Sequence, residues 1–233
     1  MNKENDLQHY LSISPNKFGI YLLDTKSLEN LYKEEITFNH DRNFLNYDLL
    51  KKFLDDNIFK IEKLNGKFVD NIILILEDNN IFNLELGIKK KNYNLSITRE
   101  YLENLIIEAK DLFRENYQDQ EIIHMIINKY FINGKTYSLL EENMKCDNFG
   151  LEFQFKSISN NIIYDLNKIL ENYQIKVTKY LDGSYVKTFF NNEMSLVKMS
   201  YKILCGYNQN EVIFVPKKTK KMAFFEKFFQ LFS

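Results

Sequence analysis

The 233-residue sequence predicts an α+β protein, on three observations. Stretches with apolar residues at every second position are interleaved with stretches whose apolar residues recur every 3.6. Turn signals, above all Asn133-Gly134, separate them. One dense amphipathic segment closes the chain. With 45% hydrophobic and 15% aromatic residues there is material for a core, which excludes a mostly disordered chain.

Taken in order, the polar residues 1–17 read as a loose arm. Phe18–Asp24 (FGIYLLD) is a buried strand with a partner over Asn30–Phe38. Leu49, Leu50, Phe53, Leu54, Ile58 and Ile61 share one face of a helix that Asn46 or Asp48 can cap and Gly66 ends. NIILILE, Asn71–Glu77, is long enough for a central strand and too short for a helix. Phe82, Leu84, Leu86 and Ile88 alternate with polar residues as a half-buried strand. Thr98 caps a helix facing inward through Leu102, Leu105, Ile106, Ala109 and Phe113. Glu121–Ile132 is a strand, and after a polar loop Leu151–Phe155 is another. A helix over Asn161–Tyr173, a strand over Ile175–Leu181, a turn at Asp182-Gly183-Ser184 into an aromatic strand ending at Phe190, a helix over Met194–Leu204 and a strand over Val212–Val215 complete the folded part.

Charge and composition narrow the function. The 31 Lys and Arg balance 32 Asp and Glu, for a net charge of -1, so no global attraction to nucleic acid is expected. The basic residues are 28 Lys against 3 Arg, beside 29 Asn and 25 Ile, as AT-rich codons dictate, so a lysine run alone carries little meaning. Cys146 and Cys205 read as ordinary thiols in a reducing compartment. MNKENDLQHYLSISPNK lacks the apolar centre of a signal peptide, and no apolar run reaches the ~18 residues that span a bilayer. The expectation is a chain that is soluble or lies on a membrane face.

The carboxyl end carries the sharpest signal. Residues 216–221 form a basic linker with Lys217, Lys218, Lys220 and Lys221. Residues 222–233 read as an amphipathic helix: Met222, Phe225, Phe228, Phe229 and Phe232 share one face, flanked by Phe224 and Leu231. Five of the chain's 20 Phe fall here. Bulky apolar groups on one side and cations alongside suit a helix lying in an anionic membrane interface. Partial burial of five Phe offers roughly 5–10 kcal/mol before ordering costs, and ordering costs about 1 kcal/mol per residue, so one copy should bind reversibly. Packing on its own domain and docking in a partner's groove are the competing readings.

No catalytic constellation stands out. His9, His40 and His124 lack metal-ligand spacing, and His124 in EIIHMII reads as a strand histidine satisfied by hydrogen bonding. Asp55-Asp56 and Glu141-Glu142 are adjacent acids that do not converge. There is no Gly-rich phosphate motif. Aromatics do alternate with lysines in KKKNYN and KYFINGKTY, as on single-strand nucleic-acid platforms, but the charge balance argues against nucleic acid.

Residues 97–135, ITREYLENLIIEAKDLFRENYQDQEIIHMIINKYFINGK, and 148–181, NFGLEFQFKSISNNIIYDLNKILENYQIKVTKYL, resemble in order and spacing the bacterial cell-division protein family FtsA. They look like its SHS2 subdomain (strand, helix, strand, strand) and flanking pieces of an actin-like domain. KKTKKMAFFEKFFQLFS is similar in position and character to the family's membrane-targeting helix. The resemblance implies a partial actin-like, ribonuclease-H-like subdomain over 18–81 and 160–215, with an SHS2-like subdomain inserted over 82–159. It departs from the family where phosphates are bound: FGIYLLDTK has Tyr21 and Leu23 where an acid and a turn glycine belong, and Asp182-Gly183 stands without clustered glycines.

The expected function is therefore an FtsA-like adaptor. It would tether division proteins, with FtsZ or an FtsN-type protein and self-association as candidate contacts, to the anionic cytoplasmic face of the inner membrane at the division site. No catalytic residue, cofactor, metal or nucleic acid is assigned. A cytosolic SHS2-type scaffold whose Phe-rich tail docks on protein is the alternative, and an actin-like ATPase with degenerate loops the third reading.

Overall fold

The computed structural model describes residues 6–38, 45–77, 81–140, 144–190 and 194–212. The chain divides into two compact units, one built from the segments up to Ile81 and from Asn160 to Cys205, the other from Phe82–Ser159 and the residues from Gly206 on.

The first unit holds a five-stranded sheet. Its strands are β1 (Leu7–Ser14), β2 (Lys17–Asp24), β3 (Glu29–Thr37), β4 (Asn71–Leu76) and β9 (Lys176–Asp182), in the order β3-β2-β1-β4-β9. β3, β2 and β1 pair antiparallel, and β1, β4 and β9 pair parallel. This is the ribonuclease-H-like strand order expected of an actin-like subdomain. The polar-arm expectation for residues 1–17 is overturned, because Leu7–Ser14 is the central strand. Its apolar run is broken by His9 and Ser12, which find tertiary partners: Asn65 Nδ2 lies 3.4 Å from His9 Nε2, and the Ser12 hydroxyl donates to Gly19 O.

Helix α1 (Tyr47–Asn65) connects β3 to β4. Asn46 caps it by accepting from Leu49 N–H, and Gly66 ends it at φ 68°, where only glycine is unstrained. Leu50, Phe53, Leu54, Ile58 and Ile61 are buried, each contributing roughly 1.5–3 kcal/mol.

Helix α3 (Asn160–Glu171) precedes β9. The strand expected after Asp182 is instead helix α4 (Gly183–Lys187), because the Asp182 carboxylate accepts from Ser184 N–H at 2.8 Å as an N-cap. A Cβ on Gly183 would lie 2.5 Å from Glu77 Cγ, so no larger residue fits without displacing Glu77. Helix α5 (Leu196–Leu204), capped by Ser195, ends the unit.

The second unit is a four-stranded antiparallel sheet, order β5-β8-β6-β7, with helix α2 on one face. The strands are β5 (Phe82–Ser96), β6 (Gln120–Ile132), β7 (Lys135–Tyr137) and β8 (Lys145–Ser159), and α2 is Arg99–Asn116. Strand, helix, strand and strand follow in the expected order, with β7 as a short addition after the Asn133-Gly134 turn, where both residues have positive φ. β5 and β8 run longer than the sequence indicated, and the loop expected through Asn148 ends where β8 begins at Lys145. α2 is capped by Thr98 and buries Leu102, Leu105, Ile106, Ala109 and Phe113. Phe113 stacks on Phe155 at 4.9 Å. Residues 206–212, expected with the actin-like part, belong to this unit.

Candidate functional site

The residues assigned to membrane contact, Lys217, Lys218, Lys220, Lys221, Met222, Phe224, Phe225, Phe228, Phe229, Leu231 and Phe232, lie outside the described residues. Their point of departure is well defined. Ile127 N–H donates to Asn210 O at 2.9 Å and Val212 N–H to Met125 O at 2.8 Å, so Glu211 forms an antiparallel bridge with Ile126 on the edge of β6. Glu211 Oε1 sits 2.6 Å from Nδ1 of His124, a ring that is 1% exposed. Val212 is buried in the core beneath the sheet. His124 is thus a hydrogen-bonded strand histidine, as the sequence indicated, and its partner lies 87 residues away in the segment that leads to the tail. Of the strand expected over Val212–Val215, the residues after Val212 lie outside the described part.

The first unit carries a polar crevice of about 240 Å³ where parallel strands β1 and β4 end, beside the last residue of α4 and the start of α5. In sheets with parallel strands, ligand sites gather at these carboxyl ends. Strand pairing explains how it forms. Ser12 opposes Gly19, Tyr21 opposes Lys33, and Gly19 opposes Glu35; paired residues share a face, so all of these side chains meet on one side of the sheet.

Gly19 is what permits this. A Cβ there would lie 2.3 Å from the Tyr21 hydroxyl and 2.7 Å from Ser12 Oγ. The Tyr21 hydroxyl donates to Glu35 Oε1 at 2.7 Å. Lys17 reaches the same oxygen at 2.8 Å, and Lys33 reaches Glu35 Oε2 at 3.0 Å. Across the crevice Lys187 pairs with Glu77.

Burial alone would raise the Glu35 pKa. The hydrogen bonds from Lys17, Tyr21 and Lys33 outweigh it and hold the carboxyl at about 2. Burial pushes the Tyr21 phenol up, so it stays a donor. Glu35 is therefore ionised and already neutralised by the chain's own ammonium groups, while Glu77 is held by Lys187.

The segment likened to the family's first phosphate loop is itself a strand. FGIYLLD is β2, and the turn that follows the first strand is Pro15-Asn16, flanked by Ser14 and Lys17. This turn has no glycine. The Ser14 hydroxyl is 3.1 Å from both Asn16 Oδ1 and Lys17 O, within its own turn.

The crevice was missed in the sequence. The string FGIYLLD reads as uniformly apolar, and only the register with β3 reveals Lys17, Tyr21, Lys33 and Glu35 as one cluster. The spacing Lys17-x-Gly19-x-Tyr21 beside Lys33-x-Glu35 was the available signal.

The remaining sequence candidates stay apart. His9 lies in β1, where burial lowers its pKa, and His40 is outside the described residues. Cys146 is buried, Cys205 exposed, and both are free. Asp55 accepts from the Tyr173 hydroxyl at 2.7 Å on the helix surface, while Glu141 and Glu142 are outside the described residues. Tyr130 of KYFINGKTY faces the core, not solvent. Among the described residues no three His, Cys, Asp or Glu side chains form a group that could hold a metal, and no helix is long and apolar enough to cross a membrane.

No protein-family model matches the sequence, and no curated protein matches it. Solved structures similar to the chain include the cytoplasmic domain of EpsL, an inner membrane component of the type II secretion system of Vibrio cholerae, at 9% identity and a TM-score of 0.37 over 77% of this chain and 57% of that one. The PilM-PilN type IV pilus biogenesis complex is similar at 8% identity and a TM-score of 0.47 over 78% of this chain and 49% of that one. A Bacteroides thetaiotaomicron protein with an actin-like ATPase fold is similar at 11% identity and a TM-score of 0.35 over 80% and 56%. The chain thus spans from about half to 57% of the length of these neighbours.

Proposed function

We propose that this protein is a non-catalytic adaptor of the FtsA type, which holds partner proteins of the division apparatus at the cytoplasmic face of the membrane through residues 217–233. The observation that carries this reading is the crevice at the strand ends. Transfer of a phosphoryl group needs carboxylates free to hold a divalent ion and a loop whose backbone can cradle phosphate. Here Glu35 and Glu77 are bound by Lys17, Lys33 and Lys187, and the turn at Pro15-Asn16 lacks glycine. At about 240 Å³ the space is also below the ~300–1,000 Å³ that drug-sized ligands occupy. What remains is binding, with the amphipathic tail supplying the attachment.

Sedimentation with vesicles of phosphatidylcholine and phosphatidylglycerol tests the tail. The full chain is expected to pellet with them, and a chain lacking Met222–Ser233 to stay in solution. Equal sedimentation of both would remove the membrane reading and leave the alternative, a scaffold whose tail docks on protein. Calorimetry with Mg-ATP tests the crevice: measurable binding would restore the nucleotide reading.

A further inference from the structure

In β5 the register with β8 jumps between Lys91, opposite Asn148, and Leu95, opposite Cys146. Three residues of β5 stand against one of β8, so the strand loops outward. Tyr93 and Asn94 adopt φ of 51° and 56°. Two consecutive non-glycine residues in the left-handed region cost energy, more so for a bulky aromatic.

The surroundings hold this strained turn in place. Asn92 is buried, and its amide donates to Leu95 O at 2.6 Å across the bulge and to Cys146 Sγ at 3.5 Å beneath it. What the turn projects is apolar: Tyr93 is 75% exposed and Leu95 63%. Lys89 and Lys91 stand beside it on β5, and Lys145 lies opposite Ser96. Lys90, between the first two, is occupied by Glu108 at 2.7 Å. Among the described residues, none of Lys89, Lys91 and Lys145 has an ion-pair partner.

We propose that the Asn92–Leu95 bulge is a second lipid-contacting element, which seats Tyr93 and Leu95 in the headgroup layer of an anionic membrane while Lys89, Lys91 and Lys145 face its phosphates. The inference deepens the membrane reading and rests on it. An outward tip offers no groove in which a peptide could lie, but it enters a soft, flat surface. An amphipathic tyrosine beside an aliphatic side chain suits the interface, and each basic residue near an anionic leaflet strengthens attachment several-fold.

Reach allows both contacts at once. From Met125, where the tail departs, to Ile132 at the end of β6 is ~24 Å at the strand rise. The nine residues 213–221 extend to ~30 Å, enough for the tail to meet the surface that the bulge meets.

The chain has no Trp, so Tyr93→Trp in the full chain places one reporter at the tip. With Tyr164→Trp on α3, another exposed position, as control, both variants are mixed with equimolar phosphatidylcholine–phosphatidylglycerol vesicles carrying brominated acyl chains. The Tyr93→Trp emission is expected to shift to the blue and be quenched by the brominated chains, and the control is expected to change little. The double variant Tyr93→Ser, Leu95→Ser should partition about tenfold more weakly, a factor equal to ~1.4 kcal/mol.

Unchanged Tyr93→Trp emission on vesicles that still pellet the chain through its tail overturns the bulge proposal and leaves the tail reading standing. Failure of the full chain to pellet at all overturns both. A blue shift that grows with protein concentration without vesicles overturns the proposal in favour of a contact between two copies.

Discussion

Replacing Glu35 with Gln removes the charge at the centre of the crevice while keeping its shape. A carboxyl pKa lowered from 4.5 to about 2 corresponds to ~3 kcal/mol of stabilisation if nothing screened it. The partners Lys17 and Lys33 are 42% and 50% exposed, and solvent screening at such exposure reduces the figure to roughly 1 kcal/mol.

The folded value lies below the unfolded one, so this stabilisation is complete above about pH 4.5 and is lost as pH falls toward 2. Melting the whole chain would average two units, so the assay is hydrogen exchange of the β2 and β3 amides, which reports local opening. At pH 7, Glu35→Gln should reduce protection there roughly five- to tenfold and leave β6 and β8 unchanged. As pH falls toward 2, wild type and variant should converge. Equal protection at pH 7 would refute the argument that the lysines bind an ionised Glu35 and, with it, the main support for a closed crevice.

Two further outcomes follow from packing. Gly19→Ala should drive the Tyr21 ring out of the crevice, because its Cβ would meet the hydroxyl at 2.3 Å; the expected loss is about 1–3 kcal/mol, read by hydrogen exchange of the β1 and β2 amides together with a fall in the Tyr21 phenol pKa. Phe113→Ala should destabilise the second unit by about 3–5 kcal/mol, since Phe113 is fully buried and stacks on Phe155; urea unfolding of that unit measures it, and a loss below about 1 kcal/mol would contradict the packing.

Much of the fold was legible because helices and half-buried strands announce themselves locally. α1 with its Asn46 cap, α2 with Thr98, and the alternation of Phe82, Leu84, Leu86 and Ile88 all follow from side-chain periods that need no tertiary information. β1 did not, because a central strand can carry His9 and Ser12 once Asn65, 56 residues from His9, and the facing Gly19 of the β1–β2 hairpin satisfy them, and no local period shows either pairing. α4 escaped for a related reason: a five-residue helix has no apolar period to read, and its start depends on Asp182 acting as a cap and on the space Gly183 leaves for Glu77.

The sequence by itself determined most of the helices and strands, β1 and α4 excepted, the strand-helix-strand-strand order of the inserted unit, and the amphipathic character of residues 222–233, since each is a property of neighbours along the chain. Only the tertiary structure decided that Lys17, Tyr21, Lys33 and Glu35 converge, that Glu211 meets His124 at the base of the tail, and that Asn92 braces an outward bulge. Those groupings depend on strand register and sheet order, which unite residues far apart in the chain through hydrogen-bond ladders that no local pattern encodes.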